Sequence, residues 1–412
     1  MNKLFALEDI NTDGAVGELE VTPQEGEVAD VQAEIEPEVG EIGEQTEAID
    51  EGMGATDQLE QVEQVVEQAA EGEGLTEVSA EAIRIAVEAI CARVGANPKT
   101  LYNMYAAENF GSASSRKANT RIALEGVSDF LKDMWKKIKA ALENLWKKVK
   151  AFWAKHLSSL ERVKKALESA KTNLSSSSGK LKDKAYIEDA PIFLKDTFGF
   201  DKDVSVSTIK TIIKTHADLG KKSDELTRIV QVMNAAAENM AKSSDKELGT
   251  ILGDMLSTAT KTIEMGTAST PLVGGEYITI KFEANKNDAE LTMEVEREKV
   301  DHEAKLGVSL SDKAGVNGLL QDALAVINET IKAKQKTEKV EEAFNKFTLS
   351  IEKRINQAAT TPESGKTMRK IMKIVYKANA QSPTINTQLV ALNIKMAKAV
   401  LGFASVCMKH YK

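Results

Sequence analysis

Eight lysines and three tryptophans crowd one stretch of this chain, and the chemistry open to them is electrostatic and interfacial rather than covalent. Lys132, Lys136, Lys137, Lys139, Lys147, Lys148, Lys150 and Lys155 are interleaved with Trp135, Trp146 and Trp153, which are all the tryptophans of the protein. Ammonium groups in such number neutralise phosphates without reading bases. Tryptophans opposite a lysine face are what a helix lying in a membrane interface needs. The eleven residues are therefore candidate DNA- or membrane-contact residues. A plainer use is open beside these: a core or coiled-coil helix whose lysines are only solvated.

Covalent chemistry finds no comparable set. His156, His216, His302 and His410 are scattered, Cys91 and Cys407 stand far apart, and neither an HExxH nor a Cys/His metal spacing occurs. There is no GxSxG elbow. The run SGKT (364–367) resembles the end of a phosphate loop, but Thr360 stands where the first glycine is required, and its flanks read as helix. The expectation is a non-enzyme with no catalytic, cofactor-binding or metal-ligating residues and no cofactor. Two distant cysteines predict a reducing compartment and no disulfide framework. No secretory signal and no apolar run long enough to cross a bilayer is read.

The elements that position the lysines follow from periodicity. From Val127 to Leu160, apolar residues recur at steps of three and four: Phe130, Leu131, Met134, Trp135, Ile138, Leu142, Leu145, Trp146, Val149, Phe152 and Trp153 among them. That is the period of an amphipathic helix. At about 1.5 Å per residue, 127–168 would span roughly 60 Å. Scarce proline and abundant Ala, Lys, Glu and Leu predict helix elsewhere. Helices are expected at 206–219, 222–241, 246–265, 316–332, 340–359, 364–378 and from about Pro383 to His410. Alternation in PLVGGEYITIKFEA and LTMEVERE predicts one short antiparallel β-hairpin near 276–298. The serine run 175–180 reads as a linker.

Charge divides the chain in two. Residues 1–108 hold 26 acidic and four basic side chains, a formal −22, whereas the remaining 304 hold 37 acidic and 50 basic, a formal +13. Residues 1–80 carry 23 acids and one lysine. So high a charge with so little apolar surface predicts disorder over 10–75, with a short helix at 56–70. Residues 79–107 read as a helical hairpin, with Thr76 or Ser79 as N-cap. Its sequence ICARVGANPKTLYNMY also resembles a repressor helix-turn-helix, in which Lys99, Thr100 and Asn103 would face bases. The acidic arm beside it would repel phosphate, which favours the hairpin.

The layout resembles the internal head proteins of large tailed bacteriophages. The resemblance is carried by NFGSASSRKANTRIALEGV from Asn109 onward, by PIFLKDTFGF (191–200) and PLVGGEYITI (271–280), and by the opening MNKLFALED. It implies an acidic propeptide over 1–108, a basic helical region over 109–174 and a helical body over 181–412. The fold class is then mainly α: a disordered acidic propeptide, a long Lys/Trp amphipathic helix and one β-hairpin. It also implies cleavage by a prohead maturation protease after Glu in short small-or-aliphatic-x-Glu motifs. Ala106, Ala107 and Glu108, followed by Asn109, lie at the charge switch and are the chosen processing site. Ala6-Leu7-Glu8, Ile42-Gly43-Glu44 and Ser79-Ala80-Glu81 fit as well. Ala123-Leu124-Glu125, Ala141-Leu142-Glu143 and Ala166-Leu167-Glu168 match too, inside the long helix. The implied partners are the protease, packaged double-stranded DNA bound nonspecifically, other capsid or inner-core proteins, and the host inner membrane after ejection. The implied location is the virion, with assembly in the host cytoplasm. Two other readings stand beside it: a membrane-active effector using the 127–160 helix, and a helix-turn-helix regulator.

Overall fold

The computed structural model describes residues 23–95, 112–181, 186–187, 194, 197–198, 203–258, 272–285, 290–299, 307–357 and 362–411. Its helices, in chain order, are α1 (Pro23–Glu71), α2 (Glu77–Arg93), α3 (Ala113–Ser176), α4 (Val206–Glu238), α5 (Asp245–Thr258), α6 (Lys313–Gln357) and α7 (Pro362–Lys409). A 3-10 turn, Asn239–Lys242, follows α4. The mainly α expectation holds.

Local chemistry sets the helix starts. Ser112, Thr76 and Ser205 are extended N-caps, and each hydroxyl accepts from the backbone N–H three residues on, opening α3, α2 and α4. Of the two caps expected for α2, Thr76 serves. The serine run expected as a linker ends α3 instead. Ser175, Ser176 and Ser177 donate back to the carbonyls of Lys171, Asn173 and Leu174. Such bonds offer the chain an alternative to continuing the helix. Between α1 and α2 the chain turns at Gly74, at φ +85, where a Cβ would stand 2.5 Å from the backbone of Arg116. Only glycine serves both conditions.

Several expected breaks are absent. The helices expected at 206–219 and 222–241 run together through Gly220 in α4, which ends at Glu238; those expected at 316–332 and 340–359 run together in α6, described as far as Gln357; 364–378 and the last helix form α7 through Pro383. A lone glycine costs a helix only about 1 kcal/mol relative to alanine, and the buried face runs on across it. Proline costs more, since it lacks an N–H and crowds the preceding turn. Around Pro383, side chains take up carbonyls: Thr384 donates to Ala380, Asn379 to Val375 and Thr387 to Thr384.

The hairpin is as expected: β2 (Glu276–Asn285) pairs antiparallel with β3 (Glu290–Lys299), Ile280 opposite Val295 and Phe282 opposite Met293. A second two-residue pairing joins β1 (Tyr186–Ile187) to β4 (Val308–Ser309).

α7 is the central helix, with α1, α3, α6, α4 and α5 packed around it. It is long and apolar enough to cross a membrane, but 83% of its most apolar window is buried in the protein, as suits a core helix. One main core takes side chains from α1, α3, α4, α5, α6 and α7, so the expected boundaries at 108 and 174 do not divide it. A smaller core joins α2 to the C-terminal half of α1 and the N-terminal part of α3, through Leu59, Val66, Ile83, Val87, Val127 and Phe130.

The main correction concerns the acidic arm. Residues 23–71, expected to be disordered apart from 56–70, are a single helix of 49 residues. Its apolar residues are few but regularly placed. Val28, Ile35, Ile42 and Ile49 recur every seven residues, and each is at most 1% exposed. A seven-residue repeat keeps one narrow seam facing a partner helix. α1 has too little apolar surface to fold alone, and α3 and α7 supply the rest.

Candidate functional site

The seam along α1 brings the two oppositely charged parts of the chain together. α1 runs antiparallel to α3, and its carboxylates meet the cations of that helix in order. Glu34 pairs with Arg162 at 3.1 Å, Glu38 with Lys155 and, at 2.9 Å, with His156 Nε2, and Glu41 with Lys148 at 3.3 Å. Further along, α1 runs antiparallel to α7. Asp57 pairs with Lys373 at 2.7 Å, Glu60 and Glu63 with Arg369 at 3.1 and 2.8 Å, and Glu67 with Lys366 at 3.0 Å. Hydrogen bonds from uncharged donors fill the interval: Gln45 donates to the carbonyl of Ala141 at 3.0 Å, Thr46 and Thr384 share a bond of 2.6 Å, and Gln381 donates to Asp50.

Beneath these pairs lies an apolar floor. Val28, Val31, Ile35, Ile42, Ile49 and Met53 share the core with Ile138, Leu142, Leu145, Val149 and Phe152 of α3. Each fully buried aliphatic side chain contributes about 1.5–3 kcal/mol. Exposed ion pairs are worth about 0–1 kcal/mol each. The floor therefore holds α1 in place, and the charges choose its direction and partner.

Burial acts on the acids in two directions. Burial alone would raise Glu38, but Lys155 and His156 outweigh it and hold its carboxyl below the ordinary range. Asp50 and Glu60 lie deeper, and for them burial wins over Lys377 and Arg369, so both are raised. Lys155 is raised in turn by Glu38.

The eleven candidate contact residues separate into two groups. Trp135, Trp146 and Trp153 are 6, 3 and 2% exposed. Trp135 packs against Tyr376 of α7 and Trp146 against Phe344 of α6, with ring centroids 5.9 and 6.3 Å apart. In this folded form none of the three reaches DNA or a membrane, which corrects that part of the expectation. The helical period is the same for a core face and an interfacial face, so sequence alone left both open. The lysines do lie outward. Lys132 and Lys136 pair with Asp129 and Asp133 of their own helix, at 2.9 and 3.1 Å. Lys139 and Lys150 reach Glu352 and Glu341 of α6, and Lys148 and Lys155 reach α1. Lys137 and Lys147 are exposed.

The chosen processing residues Ala106, Ala107, Glu108 and Asn109 lie outside the described residues, as do Lys99, Thr100 and Asn103 of the helix-turn-helix alternative. Of the other matching tripeptides, Ile42-Gly43-Glu44 is inside α1, with Ile42 buried, and Ser79-Ala80-Glu81 is in the first turns of α2. Those at 123, 141 and 166 are inside α3. SGKT occupies the first turn of α7 and forms no phosphate loop.

Sequence reasoning missed the acidic half of the seam, although the seven-residue recurrence from Val28 was a readable sign of it. It also passed over a polar cluster deep between α4, α6 and α7. There His216 donates to Asn393 at 2.8 Å and accepts from the backbone of Val273 at 3.4 Å, while Asn393 donates to Thr330 at 2.9 Å. Burial pushes His216 down to about 4 and keeps it neutral. These groups border a cavity of about 620 Å³ also lined by Ile213, Val326 and Leu389. Both thiols are held up by burial, Cys407 to about 12. Among the described residues no cluster of three or more His, Cys, Asp or Glu could hold a metal.

Neither a curated protein nor a solved structure matches the chain. A match does run over residues 28–406, from Val28 near the start of α1 almost to the end of α7, and it is to the phiKZ-like phage internal head proteins. With that match covering the acidic helix and the body alike, the chain belongs to this family, whose members reside inside the phage head.

Proposed function

We propose that this internal head protein is a structural, non-enzymatic precursor, cut by the prohead maturation protease after Glu108 and packaged alongside double-stranded DNA. Its basic side chains meet the phosphates without sequence preference. Other head or inner-core proteins pack with it, and it leaves with the genome on ejection. The observation that carries this reading is the pairing of α1 carboxylates with Arg162, Lys155 and Lys148 of α3 and Lys366, Arg369 and Lys373 of α7. A polyanion made of protein holds the cations that another polyanion would take. While α1 is seated, those cations are closed to DNA, because neutralised cations release no counterions to drive association; the cut unties α1, and DNA takes the cations where α1 is then displaced. The burial of the three tryptophans speaks against a membrane-inserting helix as the primary use.

The test is the N-terminal peptide of the protein in purified phage particles. An N-terminus at Asn109 is expected. Met1 persisting at full abundance would end the processing reading and leave the acidic helix as a permanent part of the protein.

A further inference from the structure

We infer that the groove between α3 and α7 is a docking site for an acidic amphipathic helix, and that α1 stays in it after the chain is cut. A break at Glu108 then yields a two-piece complex, not a free basic body. The setting rests on the processing reading above; the docking does not.

Among the described residues, α1 meets α3 and α7 through noncovalent contacts, made by residues outside the stretch that would carry the cut. Val28, Ile35, Ile42 and Ile49 sit in the floor of the groove; along this row the ion pairs lie on the α3 side, at Arg162, Lys155 and Lys148, and those with α7 follow further along α1, at Lys373, Arg369 and Lys366. α2 lies on the same side of the cut and adds its own contacts. Ile83, Val87, Ile90 and Cys91 share the smaller core with Val127, Phe130 and Leu131 of α3. Hydrolysis of one peptide bond removes the tether, and with it an effective concentration, but no packed surface.

The groove also specifies its occupant. Its floor is apolar, and its edge carries basic side chains from α3 toward one end of α1 and from α7 toward the other. The fitting partner has acids flanking an apolar row of seven-residue repeat, as α1 has. A nucleic acid backbone matches the basic edge and leaves the floor in water. Departure of α1 would expose Ile138, Leu142, Leu145 and Val149 together, a contiguous apolar patch of the kind that marks an interaction surface. The formal charge of the cut complex therefore stays at −9 rather than moving to +13. Further trimming at Ile42-Gly43-Glu44 has to wait until α1 is displaced.

The experiment uses the full chain with a site-specific protease sequence inserted between Glu108 and Asn109. After complete cutting, verified on a denaturing gel, the sample is run on native size exclusion and anion exchange. Co-elution of the two pieces in equal amounts, at the position of the uncut chain, is expected. Persistence of the complex in about 1 M salt, where screening falls within roughly 3 Å, is expected too, since the floor is apolar. Separation at low salt overturns the docking. Separation only at high salt overturns the apolar floor as its basis. A cut chain carrying Ile42→Asp, shown by circular dichroism to be helical before cutting, is expected to come apart, and its remaining together would also count against the groove. None of these outcomes depends on where the native protease cuts. Separation would sink this inference and leave the precursor reading standing, whereas Met1 in the particle would sink the precursor reading and leave the docking intact.

Discussion

Glu38 and Asp50 lie on the same helix, and their environments set them opposite dependences on pH. Glu38 is held below the ordinary carboxylate range because Lys155 and His156 outweigh its burial. Its contribution is present above the ordinary value and is lost as pH falls through the lowered one. Glu38→Gln should then destabilise the chain by roughly 1 kcal/mol or less at pH 7, given its partial exposure. The difference from the parent should vanish in acid. Asp50 is raised because burial outweighs Lys377 and Gln381. Its fit to the fold is best when protonated and worsens as pH rises through the raised value. Asp50→Asn keeps an acceptor for Gln381 and removes a buried charge, so it should stabilise the chain at pH 7 and be neutral below the ordinary Asp range. Urea titrations of both variants between pH 3 and 8 decide the matter. Parallel pH profiles would refute the assignment of opposite causes. The tryptophans carry a second expectation at this scale. Their indole N–H groups are buried without a partner among the described residues, so Trp146→Phe removes an unsatisfied donor along with some volume. The two effects oppose each other, and the net cost should stay below about 1.5 kcal/mol. Acrylamide should barely quench the emission of the parent; strong quenching would place these rings at the surface.

At the scale of the element, α3 was legible and α1 was not, for a reason of composition. α3 has an apolar residue at nearly every third or fourth position, so its helix and its buried face follow from the period alone. The three tryptophans could be assigned to a face but not to core or interface, because that choice depends on what covers the face. α1 spreads one strong apolar residue per heptad among acids. Averaged over a window, that reads as a solvated tail. Disorder was inferred from too little burial within the segment, and the missing burial is supplied by residues about 100 to 340 positions away, as in the contacts Gln45–Ala141 and Thr46–Thr384. Pro383 misled in the opposite direction, since local rules end a helix there while the packing of α7 carries it through. The seam itself gives the corresponding expectation. Ile42→Asp buries an unpaired charge in the floor and should cost about 3 kcal/mol or more. Val65→Asp, on the same helix but 53% exposed, should change stability by less than about 0.5 kcal/mol. Equal effects in thermal unfolding would mean that α1 is not seated along the row from Val28 to Ile49.

For the whole molecule, what matters is where its cations are spent. A net charge of −9 conceals a basic body, of which Lys148, Lys155, Arg162, Lys366, Arg369 and Lys373 are taken up along α1 by carboxylates. Binding to duplex DNA should therefore be weak and only mildly salt dependent in the uncut chain. Replacing Glu34, Glu41 and Glu67 by glutamine leaves the apolar floor intact and keeps hydrogen-bonding side chains in place, while it returns Arg162, Lys148 and Lys366 to solvent. If those cations meet phosphates, each adds about −0.9 to the slope of log K against log salt, so the triple variant should steepen it by about 2.7. The same variant should gain affinity most at low salt, where the screening length exceeds the spacing between neighbouring pairs. Fluorescence anisotropy with a short labelled duplex, titrated at four salt concentrations, reads both quantities. A slope unchanged from the parent would mean that these cations serve only to hold α1, and that whatever contact the protein makes with the genome is made by other side chains.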